Sequence, residues 1–165
     1  MDIENYLAKD PTMEKRTDVI FFSAGFHILF LYRLSHFMWN KKMKLLARLI
    51  HMYSRIIYSA DIHPAAEIEP GIVIDHGMGV VIGSTATVGE GTLIYHGVTL
   101  GARMPVNGKR HPDIGKNTIL GTNSTILGPI KIGDYSRIGA NTVVLKDVET
   151  GVTVAGIAGR KKYEI

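Results

Sequence analysis

A mainly β chain, coiled as a parallel β-helix behind an N-terminal α-helical cap, is the fold this sequence predicts, and three observations carry it. An aliphatic residue recurs at every sixth position: Ile62, Ile68, Ile74, then Ile82, Val88, Ile94, Leu100, then Ile114, Leu120, Ile126, Ile132, Ile138, Val144. Seven of these thirteen are followed directly by Gly. The residue four places on is small or β-branched, as at Ala66, Ala86, Thr92, Thr118, Ser124, Ser136 and Val148. A period of six is neither the 3.6 of a helix nor the plain alternation of a long strand, so each repeat is a short strand and a corner. Three repeats close one triangular coil, which in this repeat class is left-handed. At about 4.8 Å per coil, some five coils make a column of roughly 25 Å. Asn117, Asn123 and Asn141 stand where corners need positive φ.

The elements follow in order. Residues 1–59 read as a helical region, residues 60–156 as the solenoid with a loop extruded at 102–113, and residues 157–165 as a tail. Asp10-Pro11 suits a helix N-cap followed by proline in the first turn. Phe22, Phe26, Leu29, Phe30 and Arg33 keep helical spacing, Leu34, Phe37 and Met38 continue it, and Leu45, Leu49, Met52 and Ile56 mark a later helix. Asn40-Lys41-Lys42 is the expected break between the two. Such a cap would cover the bottom coil and its open sheet edge. The longest apolar stretch, residues 19–32, is too short for a membrane span and reads as a buried helix.

The repeat loses phase twice, and both interruptions carry reactive side chains. Ile74 to Ile82 spans Asp75-His76-Gly77, and Leu100 to Ile114 encloses Arg103, Lys109, Arg110 and His111. A stack needs no interruption for its own stability, so residues that disturb it are candidates for chemistry.

Composition bounds the rest. The 165 residues suffice for one cored domain, and the absence of Cys removes disulfides, a thiolate nucleophile and Cys-ligated zinc, which suits a reducing cytoplasm. The net charge of +4 resides in the first sixty residues, with nine Lys/Arg against five Asp/Glu, while the remainder balances at ten each. Residues 33–55 hold six basic groups and no acidic one, which reads as a solvated helix face rather than a nucleic-acid or lipid site.

Asp61-Ile62-His63-Pro64, Ile74-Asp75-His76-Gly77, Gly97-Val98-Thr99-Leu100-Gly101, Lys109-Arg110-His111-Pro112-Asp113-Ile114 and Ile126-Leu127-Gly128 occur in the order and spacing of the bacterial serine O-acetyltransferases. Asp10-Pro11, Gly25-Phe26-His27, Arg33 and His36 also resemble that family's helical segment, so the resemblance runs from Asp10 to about Gly156. It implies transfer of acetyl from acetyl-CoA to the hydroxyl of L-serine, the first step of cysteine biosynthesis, with sensitivity to cysteine. It also implies that His76 is a general base whose far ring nitrogen is hydrogen-bonded by Asp61, one coil below. Histidine fits this task because its pKa lies near the working pH, and a carboxylate behind it fixes the tautomer and stabilises the imidazolium. With no Cys and no Ser motif beside the histidines, attack is direct; His111 or a backbone amide is the oxyanion donor.

By the same resemblance Asp10 and Asp75 take the ammonium of the substrate, and Arg110 with His111 its carboxylate, an arrangement that suits a zwitterion and not a neutral sugar. Acetyl-CoA is expected in a groove between columns, with Thr99 and Gly101 lining it and Lys131, Lys146, Arg160, Lys161 and Lys162 as phosphate partners. No metal is required. The expected assembly is a homotrimer sharing active sites between subunits, or a dimer of such trimers. The terminal Ile165 suggests O-acetylserine sulfhydrylase as a partner. Ser84, Gly101-Ala102-Arg103 and the proline-free segment at residues 156–160 depart from the family pattern, and the helical region is shorter than in long members. His63 reads as a structural histidine, and His96 as interfacial. Two other readings stand beside this one: an acetyltransferase for a sugar hydroxyl in polysaccharide synthesis, and a non-catalytic trimeric scaffold.

Overall fold

The computed structural model describes residues 2–156. Four helices come first: α1 (Asp2–Lys9), α2 (Arg16–Phe22), α3 (Ala24–Asn40) and α4 (Lys44–Tyr58). The apolar stretch 19–32 is not one buried helix. Ser23 divides it, its hydroxyl accepting from the Phe26 amide at 3.2 Å to start α3, and α2 meets α3 at a bend of 71°. Ile20, Phe21, Phe22 and Phe30 are exposed. Asp10 is not a helix N-cap either. It ends the turn after α1, where Oδ1 accepts from the Thr12 amide at 2.9 Å and the Thr12 hydroxyl at 2.6 Å, the local closure typical of Asp before a turn. The break between α3 and α4 falls at the expected residues, with Lys42 at φ 64°. The stripe Leu45, Leu49, Met52 and Ile56 is on a helix as expected but faces outward, because α4 buries Ala47 and Ser54 instead. No single helix among the described residues is long and apolar enough to cross a membrane.

The chain enters the solenoid at Ser59, in the left-handed region at φ 53°. The first coil is β1 (Asp61–Ile62), β2 (Glu67–Ile68) and β3 (Val73–Ile74); the second is β4 (Val81–Ile82), β5 (Thr87–Val88) and β6 (Leu93–Ile94). The third is β7 (Thr99–Gly101), β8 (Asp113–Ile114) and β9 (Ile119–Leu120), with residues 102–112 looped out between the first two. Next come β10 (Thr125–Leu127), β11 (Lys131–Ile132) and β12 (Arg137–Ile138), then β13 (Val143–Val144) and β14 (Thr153–Val154).

Three parallel sheets form the faces of the prism. Face A is β1-β4-β7-β10-β13, face B is β2-β5-β8-β11, and face C is β3-β6-β9-β12-β14. Register keeps like with like, so Ile62, Ile82, Leu100, Ile126 and Val144 form one inward column, each buried. Face B is completed by Val148, which bridges Ile132. Sequence periodicity had made Val148 the small residue after Val144, whereas a step of four instead of six carries it into the core column.

The cap closes the lower end through two tyrosines. Tyr6 accepts from the Ile74 amide at 3.0 Å and donates to the Ile74 carbonyl at 3.3 Å. Tyr32 accepts from the Ile68 amide at 3.2 Å and donates to the Ala66 carbonyl at 2.6 Å. Each phenol satisfies strand groups that have no strand beneath them. Burial pushes the Tyr32 phenol up to about 12, the Ile68 amide opposing. Helix α3 lies directly on face C at Gly25, where a Cβ would come 1.8 Å from the Ile74 carbonyl oxygen. His36 adds a tether, donating from Nδ1 to the Pro64 carbonyl at 2.8 Å while Asn40 donates to its Nε2.

Candidate active site

The two interruptions of the repeat form the two edges that flank face A. The first connects β3 to β4, at the edge between faces C and A. Here His76, Gly77 and Gly79 all have positive φ, at 59°, 85° and 72°. A non-glycine residue in this region is uncommon, and the His76 side chain is 62% exposed. Its Nε2 lies 3.7 Å from Asp75 Oδ1. One coil above, His96 meets it edge-on at 5.5 Å between ring centroids, and the buried His96 Nδ1 has no hydrogen-bond partner among the described residues. The turn after α1 brings Asp10 to the same place. A cavity of about 360 Å³ is lined by Asp10, Thr12, Phe22, Asp75, His76 and Met78, so two carboxylates and an imidazole open onto one space.

The second interruption lies between β7 and β8, at the edge between faces A and B, and its charge is opposite. The loop 102–112 returns to the stack through Arg110 and His111. Thr85 receives it: its hydroxyl accepts from both the Arg110 and His111 amides at 3.1 Å. The Thr85 amide donates to His111 Nδ1 at 3.2 Å, so the neutral ring carries its proton on Nε2. His111 lies over Gly83, where a Cβ would come 2.1 Å from the ring. Burial first, then the Arg110 and Lys109 charges, hold the His111 pKa below its ordinary value. Arg110 donates to the Val106 carbonyl and the Ser84 hydroxyl, each at 3.3 Å. Ser84 thus gives the guanidinium a neutral partner. Lys109 is paired with Asp113, whose carboxyl is pushed up by burial but brought below its ordinary range by the Lys109 and Thr87 hydrogen bonds.

Asp61 does not pair with His76 in this chain. It starts β1, and its carboxylate is taken by α4: His51 Nε2 donates to Oδ1 at 2.7 Å, and Arg55 Nε lies 3.4 Å from Oδ2. Within one chain it is Val81, not His76, that stacks on Asp61, and His76 lies in the corner that precedes β4. Asp61 belongs with His63, which follows β1 directly. His63 Nδ1 accepts from the Ala65 amide at 3.0 Å, its ring lies 6.1 Å from that of His51, and burial above all lowers its pKa.

The candidate coenzyme residues gather at this second edge. Gly101 ends β7, Lys131 begins β11 just past the corner, and Lys146 is exposed in the top coil at the same corner. Thr99 is on face A. A cavity of about 470 Å³ beside them is lined by Arg103, Met104, Val106, Arg110 and Pro129. Arg160, Lys161, Lys162 and Ile165 lie outside the described residues. Sequence reading missed His51, Arg55 and Thr85. The i, i+4 pair of His51 and Arg55 at the end of a helix leading into Asp61 was the available signal. Among the described residues no group of three His, Asp or Glu side chains could hold a metal ion.

Comparison with known proteins identifies the same pattern. A family model described as bacterial transferase hexapeptide (six repeats) matches residues 111–146. A curated serine acetyltransferase of Mycobacterium tuberculosis is 46% identical over 159 residues, covering 96% of this chain and 69% of that protein. The crystal structure of Neisseria gonorrhoeae serine acetyltransferase in complex with serine aligns with a TM-score of 0.91 at 36% identity, covering 97% of this chain and 66% of that one. A Brucella abortus serine acetyltransferase in complex with coenzyme A aligns at 0.92 and 39% identity, covering 96% and 64%. The chain therefore spans about two thirds of the length of these relatives, and its solenoid is the left-handed β-helix with a helical N-terminal region.

Proposed function

The chain belongs to the serine acetyltransferase family, and from that premise we propose that it transfers the acetyl group of acetyl-CoA to the hydroxyl of L-serine. The observation that carries the proposal is the separation of charge. One edge of face A offers Asp10 and Asp75 beside His76; the other offers Arg110 with the neutral donor His111. An amino acid needs both signs at once, and relatives are solved in complex with serine, the acceptor of this reaction, and with coenzyme A, its product.

In the proposed reaction Asp10 and Asp75 hold the ammonium of serine, and Arg110 and His111 its carboxylate. His76 removes the hydroxyl proton as the oxygen attacks the thioester carbon. The tetrahedral intermediate collapses by breaking the carbon–sulfur bond. Its leaving thiolate takes the proton from the His76 imidazolium, giving O-acetylserine and CoA. Asp61 stabilises that imidazolium, and His111 Nε2–H is a donor for the oxyanion or the substrate carboxylate. Acetyl-CoA follows the edge between faces A and B, past Thr99 and Gly101, with Lys131, Lys146 and Arg160 for its phosphates.

Because the acidic and basic groups occupy different edges, we propose that a second copy completes the site. The His76 edge of one subunit faces the Asp61, Arg110 and His111 edge of the next, a head-to-tail contact that closes as a homotrimer with three sites. Apolar side chains support self-association: Val81 and Val143 on face A, and Leu45, Leu49, Met52 and Ile56 on α4, are all exposed. Pairing of two trimers and docking of a sulfhydrylase on Ile165 are further assemblies of the same proposal, tested by light scattering and by deletion of Ile165. Work in a reducing cytoplasm, which a chain without Cys suits, belongs to the same proposal. The test is release of CoA thiol from acetyl-CoA with L-serine, with a panel of sugars and with no acceptor. Serine-dependent release supports the proposal; release with a sugar alone, or none at all, overturns it.

A further inference from the structure

We propose that His51 is a positioning residue for this reaction, fixing the carboxylate of Asp61 so that its open side meets the base of a neighbouring copy. This rests on the reading of Asp61 as the partner of His76 across a subunit boundary. A carboxylate at the start of a two-residue strand has little to hold its orientation. Asp61 is held from α4, where His51 and Arg55, one turn apart, reach its two oxygens. The His51 contact is the shorter at 2.7 Å, and the ring that makes it is itself confined, with its side chain 14% exposed.

The confinement continues outward. The His63 ring packs 6.1 Å from His51, and Trp39 meets His63 edge-on at 5.3 Å. Helix α4 is tied to α3 by the Ser35 hydroxyl, which donates to the Ala47 carbonyl at 2.9 Å. Asp61 therefore inherits its orientation from the helical cap, not from the solenoid. Two oxygens offer about four acceptor positions, so the two α4 donors leave room for an imidazole. The Asp61 side chain is 36% exposed, which keeps that room accessible. Donors on a carboxylate draw charge from it, so the contribution of His51 is orientation and not added basicity.

A tether between cap and solenoid would have the same geometry, and epistasis separates the two roles. The experiment measures kcat and KM by thiol release for the wild type, His51→Leu, Asp61→Asn and the double variant, with thermal melts on each. His51→Leu keeps the packing on His63 but loses the donor. It is expected to lower kcat roughly ten-fold, the scale of a misplaced catalytic partner, with KM for both substrates close to wild type. In the Asp61→Asn background it should cost nothing further. His51→Gln, whose amide restores a donor, should recover most of the loss. Unchanged kcat in His51→Leu, or losses that multiply in the double variant, overturn the proposal. Absence of serine-dependent release from the wild type overturns it together with the proposed function, and only that outcome does both. Should His51→Leu fail to fold, His51→Met, which also lacks the donor, takes its place in the same cycle.

Discussion

The two edges of face A are interruptions of one repeat, but they are built differently. At the edge with face C, two extra residues suffice. The step from Ile74 to Ile82 absorbs them in left-handed backbone at His76, Gly77 and Gly79, and the turn after α1 supplies the second carboxylate, that of Asp10. At the edge with face B a whole loop is extruded, and it needs Thr85, Gly83 and Ser84 to seat its last residues. A small deviation can expose a side chain at a corner, but delivering a guanidinium and an oriented imidazole takes a returning segment with its own receptors. The acidic edge is thus corner chemistry and the cationic edge loop chemistry.

The comparison can be broken most directly at His76. His76→Ala should reduce serine-dependent thiol release by roughly 10²–10⁴-fold, the usual contribution of a general base; a smaller loss would move the base to another residue. Arg110→Ala should act on binding, raising KM for serine about 10–100-fold, the range for a lost charged hydrogen bond. Steady-state kinetics with varied serine reads this out. Coexpressing the His76→Ala and Arg110→Ala chains, assayed at serine well below the raised KM, sharpens the division between edges. If sites form between copies, mixed assemblies contain some with both edges intact and activity returns; if each chain is self-contained, none does.

A smaller effect isolates the structural end. Tyr32→Phe touches neither edge and leaves the Ala66 carbonyl and the Ile68 amide without their partner. It should cost about 1–3 kcal/mol in denaturant melts while kcat stays near wild type. The smallest effect concerns acid. His63 and His111, both at the cationic edge, have folded pKa values below their ordinary 6.5. The unfolded chain therefore binds more protons, and stability is lost as pH falls below about 6.5 until the folded rings also titrate. Urea midpoints across this interval should drop less in His111→Gln than in wild type.

The stack was legible because its core residues recur at a fixed interval that neighbouring coils enforce. Val148 escaped that reading since it arrives after four residues, and only the Ile132 bridge reveals its place. The reactive residues were legible from the interruptions, but not their partners. Asp61 was paired with His76 by resemblance, and the repeat alone does not register the residues of an enlarged corner against the coil below, where Val81 is the one stacked on Asp61. Helix spacing marked Leu45, Leu49, Met52 and Ile56 as one helix but cannot say what covers an apolar stripe, and all four are exposed. Tyr6 and Tyr32 left no pattern because each meets backbone at sequence separations of 68 and 36.

Those tyrosines also give the molecule a direction. A stack of coils is close to one-dimensional, each layer held mainly by the layers beside it. The lowest layer is pinned by phenols from distant helices, so opening there must first disengage α1 or α3. Among the described residues the layers nearer β14 have no such pin, and fluctuations should start there and run downward. Amide hydrogen exchange should accordingly slow from the upper coils to the lower ones, with the His76 corner, next to the pinned layer, among the last parts of the solenoid to open.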